Sequence, residues 1–160
     1  MSQEKRVGSR SISQIPPEIL LQINRGELET ANLTEWLAVD QVALLQHQLQ
    51  LLGRDEYLPS LLAHIRDQKK LSTNSTCRVI GRMLGQLTLQ HSDEALLQHL
   101  ASHKSDMLRC WAAYAQPYTS LRDGLKYIYP FARDTHFGVR EVAWFSLRQH
   151  IIEELDDALQ

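Results

Sequence analysis

Three groups of residues in this 160-residue chain have types and spacings suited to chemistry. The first centres on Asp40 in "EWLAVDQVALL", an acid midway along an apolar run with Trp36 one helical turn before it. Burying a carboxylate without a partner is costly. Such an acid is therefore either a catalytic or substrate-orienting group tuned beside an aromatic wall, or half of a buried pair, for which Arg78 is the base at the matching position. The second group is Arg82, Arg140, Trp144 and Arg148, a set of guanidiniums with an indole. Guanidinium groups suit phosphate, and an indole stacks on a base or sugar. The same residues also serve packing, with the indole sealing a seam and the arginine heads in water. The third group lies in "FARDTHFGVREVAW", where Arg133, Asp134, His136 and three aromatics crowd fourteen positions. His136 is read there as a cap or turn residue.

Other chemistry is absent from the pattern. His99 and His103 are four apart on one helix face, but no third ligand lies near them in sequence, so no metal site is expected. There is no nucleophile elbow, no phosphate-cradling glycine loop and no HExxH motif. No cofactor is implied, and whether the chain is an enzyme stays open. Cys77 and Cys110 sit in apolar helical patterns and are expected as buried, unpaired thiols.

The elements that must position these groups are helical. Few prolines and glycines and many leucines, glutamines, alanines and arginines favour helices, and no segment sustains a period of two. Residues 1–14 are polar and aperiodic and read as a disordered arm, with a single domain over residues 15–160. Pro17 to Arg25 forms a short helix ended by Gly26. Asn32, with Glu35 three residues on, caps a longer one over residues 33–52. No stretch is apolar enough to span a membrane and the start lacks a secretion signal, so the chain is expected in the cytoplasm. The net charge of −2 excludes a surface that is basic all round, so a binding footprint needs charge segregated to one face. Residues 76–88, 107–116 and 137–150 hold five arginines against Glu141 alone.

From residue 57 onward the helices come in pairs. Aligning the second members sets Arg78, Arg109 and Arg140 at intervals of 31, and Gly81, Ala112 and Ala143 share that spacing, as do Arg82, Ala113 and Trp144. A small residue three positions after each arginine lets a neighbouring backbone approach closely. The arginines themselves form a ladder, each bonding an acid or carbonyl of its own or the adjacent unit, with Asp134 placed to serve Arg140. "IIEELDDALQ" reads as a terminal cap.

This pattern resembles the HEAT repeat: Pro59, Leu62, Ile65 and Asp67 fit a first helix, and Asp134, Val139, Arg140 and Ala143 fit the junction to a second. It departs where Ser72 and His103 replace the acid before the arginine and where four extra residues follow Asp67. The resemblance implies an all-α chain wound as a right-handed α-α superhelix, a HEAT/armadillo-like solenoid of three full helix pairs and a degenerate first unit. At "PFARDTHFGVREVAW" and "TANLTEWLAVDQVALL" the chain is similar to bacterial HEAT-like DNA alkylation repair proteins, some of which release alkylated purines from DNA. That resemblance implies a contact with duplex DNA through Arg82, Arg140, Trp144 and Arg148. A glycosylase would also need an acid at the lesion, for which Asp40 is the candidate. The competing expectation is a protein-protein adaptor with no nucleic-acid role.

Overall fold

The computed structural model describes residues 6–116, 120–155 and 159, and these are all-helical. Nine α-helices occur among them: α1 Pro17–Arg25, α2 Leu33–Ala38, α3 Gln41–Leu51, α4 Leu58–Asp67, α5 Thr73–Gln90, α6 Glu94–Ser102, α7 Asp106–Tyr114, α8 Leu121–Ala132 and α9 Phe137–Glu153. Local chemistry fixes most boundaries. Pro17 opens α1 and Gly26, at φ +74°, closes it in the left-handed region that glycine tolerates. Side chains of Asn32, Ser72, Asp93, Ser120 and His136 each accept an N–H of the turn they precede. None of the helices is long and apolar enough to cross a membrane. Cys77 and Cys110 are buried and free.

Two expectations about the N-terminal third are corrected. The helix expected over residues 33–52 is broken at Val39 and Asp40, which separate α2 from α3, because Asp40 turns its carboxylate back to accept the Ala43 N–H at 3.0 Å. The arm expected to be disordered is fixed from Arg6 on. Arg6 grips the buried Glu35 with both terminal nitrogens, at 2.7 and 2.6 Å, and Asn32 Nδ2 donates to the Ser9 carbonyl at 2.8 Å. Burial pushes the Glu35 carboxyl up, but Arg6 and the Ala31 N–H outweigh it and hold it below the ordinary carboxylate value. Residues 1–5 lie outside the described residues.

Packing follows the pairs read from the sequence. α4 lies on α5, α6 on α7 and α8 on α9, while the second members pack side by side, α5 on α7 and α7 on α9. α7 is the centre of the molecule, with every residue from Asp106 to Tyr114 buried. The close approach expected at Gly81 is present: a Cβ there would stand 2.6 Å from the Trp111 carbonyl oxygen. Ala112 and Ala143 are fully buried at the equivalent places. The segment from Glu29 to Gln41 crosses the N-terminal ends of all three second helices. Thr30 bonds Asp106 of α7 and His136 before α9, and Gln41 joins the Thr73 carbonyl to the Trp111 indole N–H. The face formed by α5, α7 and α9 is therefore crossed at that end by the chain itself, and among the described residues its other half carries no such segment.

Candidate functional site

The arginine ladder is built at two of its three rungs. Arg109 Nη1 donates to the carbonyls of His103 and Lys104, six and five residues upstream, and Arg140 Nη1 donates to those of Asp134 and Thr135 at the same offsets. One contact differs from the expectation: the Asp134 carboxylate serves Arg109 of the preceding pair, at 2.8 and 3.0 Å, and only its carbonyl serves Arg140. Arg78 has no such contacts and is exposed. The extra residues after Asp67 lengthen its connecting loop. In the next pair His103 stands where an acid would be, and its Nδ1 accepts the Ser105 N–H.

That freedom makes Arg78 and the equally exposed Arg82, one turn on along α5, the residues best placed to meet a ligand. Arg82 and Gln86 line two clefts. One, of about 320 Å³, adds Tyr114, Gln116, Ser146, Gln149 and His150 from the uncrossed half of the second-helix face. The other, of about 450 Å³, adds His64 and Gln68 of α4 together with Arg78. Neither cleft is lined by a carboxylate, and neither guanidinium has a bond within the described residues. Two exposed cations edged by carboxamides and a hydroxyl suit an oxyanion such as phosphate.

The residues expected to act with Arg82 are elsewhere. At about 100° per residue, Trp144 lies some 200° round α9 from Ser146, which faces the cleft. Trp144 is 53% exposed, so it does not seal a seam, and Arg140 and Arg148 share its side of the helix and are exposed too. The four residues expected to form one binding surface thus divide between two, Arg82 on the cleft and Arg140, Trp144 and Arg148 on the outer side of α9.

Asp40 fits neither role expected of it. It is exposed, caps α3, and lines none of these clefts; no Asp40–Arg78 pair forms. Three acids are buried among the described residues: Glu35, read in the sequence only as the capping-box partner of Asn32, and Asp93 and Asp106, whose partners lie far along the chain where no spacing rule reaches them. Thr30, Asp106 and His136 include the side-chain types of a hydrolytic centre, but the geometry is that of a lock. His136 Nδ1 accepts the Gly138 N–H, so the proton sits on Nε2, which donates to the Thr30 carbonyl at 2.9 Å. The Thr30 hydroxyl donates to Asp106 at 2.8 Å. No basic nitrogen is left to activate that hydroxyl, and all three residues are sealed from solvent. Burial pushes the Asp106 carboxyl above its ordinary value, against the pull of His136 and Thr30. His136 is the cap of α9, as expected. Among the described residues no three metal-ligating side chains converge.

His103 carries a measurable consequence. Burial, with His99, Lys104 and Arg109 nearby, holds its pKa down to about 4. The unfolded chain takes up a proton near the ordinary histidine value, whereas the folded one does not until near 4. Stability is thus full above pH 6.5 and falls as pH drops toward 4, by about 1–2 kcal/mol after solvent screening. Urea melts at pH 7 and pH 5 should show that loss, reduced in His103→Asn.

No protein-family model, curated protein or solved structure matches this chain.

Proposed function

We propose that this chain is a helical-repeat binding module of the HEAT-like kind that grips nucleic acid through the α5 guanidiniums. The stacking of α5, α7 and α9 at a 31-residue period supports the repeat reading and the superhelix it implies. The observation that carries the ligand is the pair Arg78 and Arg82, exposed at successive turns and paired with no carboxylate among the described residues, where the neighbouring Arg109 is fully engaged. Cations left unpaired beside carboxamide-lined clefts favour phosphate. The resemblance to alkylation repair proteins points the same way, toward duplex DNA. With Asp40 committed to a cap, a glycosylase has no acid at the clefts, and binding without catalysis is the better reading.

Fluorescence anisotropy of a labelled duplex tests it. Two neutralised phosphates give a salt slope near −1.8, or about a twelvefold weaker affinity between 50 and 200 mM salt. The Arg78→Ala, Arg82→Ala double variant should lose most of that dependence while keeping its helical circular dichroism. An affinity and slope unchanged in that variant would remove these arginines from the contact. No binding at low salt would turn the reading to the protein-protein adaptor.

A further inference from the structure

The outer side of α9 presents a second surface, unconnected with the guanidinium cleft. Trp144 is 53% and Phe145 42% exposed, and Ile152, two turns on, is 58% exposed. At about 100° per residue, Glu141, Trp144, Phe145 and Arg148 fall within one arc of roughly 100°, opposite the buried Val139 and Ser146. Glu141 and Arg148 are exposed and make no ion pair or hydrogen bond within the described residues. Nor can they meet each other along α9. They are seven residues apart, about 10 Å along the axis, whereas side chains on one helix pair at three or four.

The order of these residues is what identifies a partner. Glu141 stands three residues before Trp144 and Arg148 three residues after Phe145, so charges of opposite sign flank the aromatic pair at equal distances. Reversing the direction of such a face reproduces it with the signs exchanged, which makes it complementary to itself. We propose that a second copy of this chain docks here, the two α9 helices running antiparallel about a two-fold axis between Trp144 and Phe145. Each Glu141 then lies opposite the second copy's Arg148, about 5 Å along the axis from the two-fold on either side, and the four aromatic rings close over the centre. A partner presenting charge of one sign would leave either Glu141 or Arg148 unanswered. One helix pair buries less than the roughly 1,200 Å² of a stable interface, so the dimer is transient.

Sedimentation equilibrium of the full chain from about 10 µM to about 1 mM is the direct measurement, a range that brackets the affinity of a transient contact. Dimer is expected within that range. Glu141→Arg and Arg148→Glu should each weaken it by about tenfold or more, and the double exchange should restore it, because the exchanged charges again face each other. Since Cys77 and Cys110 are buried, introduced thiols report the orientation. A mixture of Glu141→Cys and Arg148→Cys chains should cross-link on mild oxidation, while each variant alone should not. A chain that stays monomeric throughout, a dimer indifferent to the charge variants, or cross-linking by one variant alone would overturn the proposal. Retained helical circular dichroism in each variant shows that the fold is intact, as these side chains are exposed.

Discussion

Replacing Gly85 with alanine is expected to cost at least about 3 kcal/mol of folding stability, although the same change in an exposed helix interior gains about 1 kcal/mol. The sign reverses because of where α5 meets α7. A Cβ on Gly85 would stand 1.6 Å from the Ala115 carbonyl oxygen, 2.5 Å from its carbonyl carbon and 2.9 Å from its Cα. All three are backbone atoms, so no side chain can swing aside, and relief requires the end of α7 to move off α5. Gly81, one turn earlier, is bounded the same way, with Trp111 O and Tyr114 Cβ each 2.6 Å from its added carbon. The two glycines cut the groove in which the last turn of α7 lies. Since α7 also carries α9 and the crossing segment, shifting it loosens packing across the molecule. Gly138→Ala is the control. Its added carbon would meet only side chains, Trp36 and His136, at 3.1 Å or more, so about 1 kcal/mol is expected. Urea denaturation resolves the two, and a Gly85→Ala chain within 1 kcal/mol of the parent would show that α5 and α7 do not approach so closely.

The sequence carried much of this arrangement wherever the information was local or periodic. The 31-residue columns identified Gly81 as a close approach and Arg109 and Arg140 as equivalent rungs, because a repeated unit must solve the same packing problem each time. What it could not carry was any contact outside the period. Glu29, Thr30 and Glu35 meet Arg109, Asp106 and Arg6 across 80, 76 and 29 positions, and no spacing rule joins such pairs. The break at Asp40 was hidden for a different reason. Trp36, Val39 and Leu44 keep a helical rhythm through it, and Ala43 at the third position supplies no capping-box partner, so the aspartate resembles a residue within a helix. Consequently the face of second helices looked open along its length, and Trp144 looked like a neighbour of Arg82. Column membership gives a residue's place in its unit but not the direction of its side chain.

Arg109→Met should be the most damaging substitution among the ladder arginines, lowering stability by about 2–3 kcal/mol, because it strips two part-buried carboxylates of their base. Every N–H of this guanidinium is used. Nε and Nη2 hold the Asp134 carboxylate, Nη2 also reaches Glu29 at 2.7 Å, and Nη1 bridges the His103 and Lys104 carbonyls at 2.8 and 2.9 Å. Burial lowers the affinity of Arg109 for its proton, and the two carboxylates more than restore it. The residue thus ties α7 to its own connecting loop, to the turn after α8 and to the segment crossing the second helices. Methionine keeps much of the volume, so the loss measures the polar contacts and not a cavity. Lysine keeps the charge but not the planar fork, and should recover only part of the loss. Arg140→Met removes two exposed carbonyl contacts and should cost under about 1 kcal/mol, and Arg78→Met, with no hydrogen bond or ion pair to lose among the described residues, should lie within about 0.5 kcal/mol of the parent. Thermal and urea melts of the three methionine variants give the ranking. If Arg109→Met cost no more than Arg140→Met, the Asp134 and Glu29 carboxylates would have to be satisfied by other groups or by water, and the ladder would not join one helix pair to the next.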